Sequence, residues 1–136
     1  MIIYCDGGSR GNPGPAASAF VAVKDDEIVY KESKFLGIET NNVAEYQAVL
    51  MALNWIIDSN LKGELVVNLD SQLVERQING KYKVKSEKLK KFHKKILDIL
   101  TINNLKIKFV WAYRSDNELA DTLVNEELDA SASTGK

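Results

Sequence analysis

Two short apolar runs, each closed by an aspartate, constrain this chain more than any other feature. Met1-Ile2-Ile3-Tyr4-Cys5 leads into Asp6, and Leu65-Val66-Val67-Asn68-Leu69 leads into Asp70. Runs of this length read as buried strands, and a carboxylate at their C-terminal ends lies at the sheet edge where α/β folds bind ligands. Between them, residues 17–24 and 28–36 predict an antiparallel hairpin closed by the polar turn Lys24-Asp25-Asp26-Glu27. Tyr46, Val49, Leu50, Leu53, Ile56 and Ile57 then keep helical spacing behind a cap at Thr40 or Asn41. Strand, helix and strand in this order predict a right-handed crossover that sets the fourth strand parallel to the first.

The second half of the chain continues the alternation. A short helix after Asp70 is predicted to stop at Asn79-Gly80. Ser86 caps a helix whose inner face is Leu89, Phe92, Ile96, Ile99 and Leu100. Residues 105–111 form the fifth strand, and a last helix runs from about Asn117 to Leu128. The expected fold is α/β: a five-stranded mixed sheet, order 3-2-1-4-5 with strand 2 antiparallel, and helices on both faces. One domain covers residues 1–129, and the small polar stretch 130–136 is expected to be a flexible tail.

The single cysteine, Cys5, sits inside the first apolar run, which rules out a disulfide framework and fits a reducing, cytoplasmic setting. No run approaches the ~20 apolar residues of a membrane span. The net charge of −1 is unevenly spread. Residues 81–95 hold eight of the fifteen lysines against Glu87, a local +7, so the remainder carries −8. Such a stripe is either the footprint of a phosphate-backbone binder or a solvated lysine-rich helix face.

Glu45 and Asp121 each fall in the first turn of a predicted helix. If those helices cross the edge that carries Asp6 and Asp70, four carboxylates converge. Like charges so close repel unless cations fill the space between them, so the reading is a divalent-metal site.

Four blocks together carry a resemblance. They are Asp6-Gly7-Gly8-Ser9-Arg10-Gly11-Asn12-Pro13-Gly14, Thr40-Asn41-Asn42-Val43-Ala44-Glu45, Asp70-Ser71-Gln72-Leu73-Val74 and Asn117-Glu118-Leu119-Ala120-Asp121. In order and spacing the chain resembles type 1 ribonuclease H over residues 1–128, which implies the ribonuclease H-like fold. The resemblance also implies a metal-dependent endonuclease that cuts the RNA strand of RNA–DNA hybrids, leaving 3′-hydroxyl and 5′-phosphate ends. Asp6, Glu45, Asp70 and Asp121 would be its catalytic and metal-binding residues, holding two Mg²⁺ ions or Mn²⁺ in their place.

By the same resemblance Gly7, Gly8, Ser9, Gly11, Asn12, Asn41 and Asn42 would meet the minor groove of the hybrid. Asparagine both donates and accepts, which suits a 2′-hydroxyl. Thr40, with Ser86 or Lys85, would take a DNA-strand phosphate, and Ser71 and Gln72 would lie beside the substrate. The partner is therefore the hybrid duplex, with double-stranded RNA left open, no membrane is involved, and a monomer is expected.

Three departures from the family pattern stand out. The loop before the last helix, Trp111-Ala112-Tyr113-Arg114-Ser115-Asp116, lacks the histidine many relatives carry there, and the one histidine, His93, lies on the lysine-rich helix. Ile38 stands where some relatives place an arginine two residues before the phosphate-pocket threonine. Residues 79–86 are too few for the basic helical protrusion of some relatives, and Lys81, Lys83 and Lys85 are candidates to substitute. Trp55 and Trp111 read as core packing, and Arg114 as a candidate to touch substrate or orient Asp116.

Overall fold

The computed structural model describes residues 1–112 and 114–134, without the side chains of Arg114, Ser115, Ser133 and Thr134. Five strands form one sheet: β1 (Ile2–Ser9), β2 (Gly14–Lys24), β3 (Glu27–Glu39), β4 (Leu65–Leu69) and β5 (Ile107–Trp111), in the order β3-β2-β1-β4-β5. β2 runs antiparallel to β1 and to β3, whereas β4 is parallel to β1 and β5 parallel to β4. The helices are α1 (Asn41–Asp58), α2 (Gln72–Ile78), α3 (Glu87–Ile102) and α4 (Glu118–Thr134), the last preceded by a 3₁₀ turn over Arg114–Asn117. Sheet order and strand directions match the expectation from sequence.

The hairpin turn works because Asp25 and Asp26 both take positive φ, 52° and 63°, a conformation that short polar side chains tolerate and that follows the strand twist. β2 is buried along nearly its whole length, and its small residues explain how. Phe20 and Ala22 join the main core with α1, while Ala17 and Ala19 pack against Val124 and Leu128 of α4. Alternation along one strand thus serves two layers.

α1 is buried on most of its surface because it lies between the sheet and α3. Ala44, Ala48 and Ala52 are all fully buried at four-residue spacing, and these small side chains let the helix axis approach β1. At the far end of the helix, Trp55 stacks on Tyr30 with ring centroids 5.0 Å apart and planes within 10°.

Two boundaries differ from the sequence expectation. β1 does not end at Asp6 but continues to Ser9, because Gly7, Gly8 and Ser9 pair with Ser18, Ala17 and Ala16 of β2. The last helix does not stop near Leu128; α4 runs on to Thr134. Ala130 and Ala132 are strong helix formers, and Arg10 ties the preceding turn down through Asp129 at 2.6 Å. Among the described residues no helix is long and apolar enough to cross a membrane.

Candidate functional site

Register places the first two carboxylates side by side. Cys5 pairs with Leu69 in the parallel β1–β4 ladder, and extending that register by one residue sets Asp6 beside Asp70. β4 stops at Leu69 while β1 continues, so Asp70 stands at the C-terminal edge of the shorter strand. The third carboxylate comes from α1. Gly7 is what allows it: a Cβ there would run into the backbone of Ala44 and Glu45. With glycine in place, the helix backbone rests directly on the strand. The Gly7 amide donates to Glu45 Oε1 at 3.3 Å, and Ser18 Oγ, fully buried, donates to the Ala44 carbonyl at 2.6 Å.

Asp6, Glu45 and Asp70 consequently offer ligand oxygens that all lie within 4.8 Å of one another. Asp121, half-buried in the first turn of α4, stands outside that triplet but near enough for its charge to act on Asp6. Three of the four expected carboxylates thus form one tight cluster, and the fourth flanks it. Glu45 is not a first-turn residue of α1 but the fifth residue of the helix, so the helix dipole gives it little reason to be there.

The electrostatics of the cluster are unfavourable without a cation. Burial, then the negative charge of Asp70, pushes the Asp6 carboxyl from its ordinary 3.8 up to about 8. Burial raises the Glu45 carboxyl well above its usual range, and the charges of Asp70 and Asp6 raise it further. Glu45 Oε2 is buried, and among the described residues no hydrogen-bond partner reaches it. A buried acceptor left without a donor costs about 1–3 kcal/mol, more if charged, and a hard divalent cation relieves both that orphan and the mutual repulsion. The donor set, all carboxylate oxygens, fits Mg²⁺ or Mn²⁺.

Around the cluster, the residues read from sequence fall into two groups. Ser9, Asn12 and Asn41 form one hydrogen-bonded unit: the Ser9 amide and hydroxyl both donate to Asn41 Oδ1, at 2.8 and 3.1 Å, and the Asn41 amide donates to Asn12 Oδ1 at 3.1 Å. Gly11, at φ +96°, turns the chain between Ser9 and Asn12. The second group consists of helix caps. Thr40, Ser71 and Ser86 accept from the backbone amides of Val43, Val74 and Leu89 and so start α1, α2 and α3. Lys88 in the first turn of α3 pairs with Glu39, the residue before Thr40, at 2.8 Å.

The lysine stripe is partly engaged: besides Lys88, Lys90 pairs with Glu87 and Lys94 with Asp98. His93 on α3 sets its Nε2 2.9 Å from the Gln77 carbonyl, a contact that joins α3 to α2. Tyr113 and the side chain of Arg114 lie outside the described residues, so the reading of Arg114 has no counterpart here.

Sequence reasoning missed two residues of the site. Trp111 is not core: it is about two-fifths exposed, at 39%, and its Nε1 donates to the Asp70 carbonyl at 3.3 Å. Its position at the C-terminal end of β5, level with Leu69, was the available signal. Asn117 is fully buried, and its Nδ2 donates to the Cys5 carbonyl at 2.8 Å, fastening the start of α4 to the strand residue before Asp6. The recurrence of asparagine just before a helix reads as capping and hides this longer reach.

Comparison with known proteins follows the same lines. A family model described as reverse transcriptase-like matches residues 4–127. The chain is 40% identical over 134 residues to the bifunctional protein Rv2228c of Mycobacterium tuberculosis, covering 97% of this chain and 36% of that protein. It is 40% identical over 128 residues to ribonuclease HI of Halobacterium salinarum, covering 93% of this chain and 63% of that enzyme. The chain therefore spans about a third of the first relative and under two-thirds of the second. Among solved structures, LC11-RNase H1, isolated from compost and crystallised in complex with an RNA/DNA hybrid, superposes with a TM-score of 0.90 at 40% identity, covering 96% of this chain and 98% of that one. RNase H1 from Halobacterium salinarum gives a TM-score of 0.87 at 37% identity, over 95% and 97% of the two chains. With fold, carboxylate edge and extended likeness in agreement, this chain belongs to the type 1 ribonuclease H family.

Proposed function

We propose that this chain is a divalent-metal-dependent endonuclease that hydrolyses the RNA strand of RNA–DNA hybrids to 3′-hydroxyl and 5′-phosphate ends, by a two-metal-ion mechanism with Mg²⁺ or Mn²⁺. The observation that carries the proposal is the triplet Asp6, Glu45 and Asp70 within 4.8 Å, with Glu45 Oε2 unpartnered. The hybrid-bound relative at 40% identity supports the substrate class. Asp6, Glu45, Asp70 and Asp121 would hold the cations, which when bound supply Lewis acidity at a phosphodiester and an activated water.

The chain's own residues would do the rest. Asn12, Asn41 and Asn42, with backbone groups of the Gly7–Gly11 loop, would bind the minor groove, where the 2′-hydroxyl separates RNA from DNA. Thr40 and Ser86, with Lys85, would hold a phosphate of the DNA strand through hydroxyls already placed at two helix N-termini. Ser71 and Gln72 would follow the substrate past Asp70. No histidine lies in the loop before α4, so the acids and their cations would carry proton transfer without that help. The fully buried, unpaired Cys5 is consistent with a cytoplasmic setting.

The test is cleavage of a labelled hybrid alongside RNA, DNA and mixed duplexes of the same sequence, with and without Mg²⁺ or Mn²⁺. Metal-dependent cutting of the hybrid, lost in Asp70→Asn, is expected. Cleavage that survives in that variant, or proceeds equally in chelator, would sink the assignment.

A further inference from the structure

Asn12 and Asn41 each carry an amide that in isolation both donates and accepts. Here the accepting halves are already used. Two donors from Ser9 converge on Asn41 Oδ1, the backbone amide at 2.8 Å and the hydroxyl at 3.1 Å. The backbone amide of Asn41 in turn occupies Asn12 Oδ1 at 3.1 Å. A backbone N–H can only donate, so neither side chain can flip: the reverse orientation would set an NH₂ group against an N–H. Both NH₂ groups are therefore turned away from these partners, and Asn41 is exposed beside the carboxylate cluster.

We infer that Ser9 is a positioning residue that locks the Asn41 amide, so that Asn41 and Asn12 present donors only and read the lone pairs of a ribose 2′-oxygen, not its hydrogen. The inference rests on the hybrid-binding reading above and sharpens it. Ser9 would act through Asn41 and need touch no substrate itself. Its backbone donation survives any substitution, but one contact alone leaves the amide freer to rotate. The hydroxyl is the removable half of the lock.

Three variants test this: Ser9→Ala, Ser9→Thr and Asn41→Asp. Affinity is measured by anisotropy in an Asp70→Asn background, on a hybrid and on an all-DNA duplex of the same sequence, and steady-state cleavage of the hybrid is measured with Asp70 intact. Ser9→Ala should raise KM and Kd for the hybrid about five- to tenfold, as expected for one lost hydrogen bond, with kcat falling less than twofold. The preference for hybrid over DNA should shrink by the same factor, and Ser9→Thr should restore it. Asn41→Asp keeps both acceptors for Ser9 but replaces the outward donor by an oxygen. It should therefore lose more hybrid affinity than Ser9→Ala while its melting temperature stays within a degree or two of the parent. Hybrid KM and selectivity within twofold of the parent in Ser9→Ala, or parental affinity in Asn41→Asp, would overturn the inference and leave the nuclease reading standing. A parent that neither binds nor cuts the hybrid would remove both.

Discussion

The Gly7 amide donates to the Glu45 carboxylate at 3.3 Å, across a contact so close that residue 7 has no room for a side chain. A strand residue and a helix residue are thereby fixed to one another immediately beside Asp6. Gly7→Ala should cost about 3 kcal/mol or more, because the added carbon meets backbone, which cannot rotate out of the way. Urea unfolding measures the loss. Titration with Mn²⁺ should show weaker binding even where the variant remains folded, since α1 and Glu45 must move outward. A fully stable Gly7→Ala with parental Mn²⁺ affinity would contradict the close approach.

The raised Asp6 and Glu45 carboxyls set the sign of a pH effect. A carboxyl whose folded-state pKa lies above its unfolded value adds stability at low pH, and that contribution is lost as pH rises through the folded value. For Asp6 the window runs from about 3.8 to about 8. Asp6→Asn should therefore be neutral or stabilising in chelator at pH 8, and the gap between variant and parent should close toward pH 4. Added Mg²⁺ or Mn²⁺ should raise the melting temperature of the parent at pH 8 far more than at pH 5, and should do little for Asp6→Asn. Thermal scans across that range, with chelator and with metal, decide it; an Asp6→Asn variant that is less stable than the parent in chelator at pH 8 would count against the buried repulsion.

Trp111 offers an optical handle on the cluster, because its Nε1 donates to the Asp70 carbonyl while Trp55 is stacked far along α1 on Tyr30. Metal titration should change tryptophan emission, and Trp111→Phe should remove most of that change while lowering metal affinity by about a factor of five, the scale of one hydrogen bond. A signal that persists in Trp111→Phe would assign it to Trp55.

Ile38 is 66% exposed at the end of β3, two residues before the Thr40 cap. An arginine there would stand beside the proposed phosphate pocket, where a planar guanidinium binds a phosphate through two hydrogen bonds. Ile38→Arg should lower KM for the hybrid several-fold, steepen its salt dependence, and leave the fold's stability within about 0.5 kcal/mol. Equal KM at two salt concentrations would show that the DNA strand does not pass this point.

Sheet order, strand directions and the meeting of Asp6, Glu45 and Asp70 were legible because they depend on period, punctuation and charge placed where burial forbids it. Apolar runs ending at Asp6 and Asp70, the spacing from Tyr46 to Ile57 and the Asn79-Gly80 stop are local signals. What was not legible depends on partners far away in the chain. The extension of β1 to Ser9 exists only because Ala16–Ser18 pair with it, and glycine-rich sequence by itself reads as loop. Trp111 looks like a core residue until the end of β4 and the Asp70 carbonyl are set beside it. Alanine-rich sequence after Leu128 is neutral between frayed tail and helix, and the Arg10–Asp129 pair, which favours helix, joins opposite ends of the sequence. The asparagines read from sequence as groups that both donate and accept, whereas the accepting oxygens of Asn41 and Asn12 are taken by Ser9 and by the Asn41 amide, contacts between segments some thirty residues apart.

The bond from Asn117 to the Cys5 carbonyl joins positions 112 residues apart. During synthesis the first strand leaves the ribosome long before Asn117 exists, so this bond can form only after the sheet and α1 have had time to assemble. Asp6, Glu45 and Asp70 can meet in a nascent chain that has β4, yet Asp121 cannot join them until the 3₁₀ turn has emerged and docked. The last acid and the clasp that seats it arrive together, four residues apart. A chain that is cut short before Asn117 would thus hold three of the four acids without the fastening for the fourth, which makes competence of the site a late event in the life of each molecule.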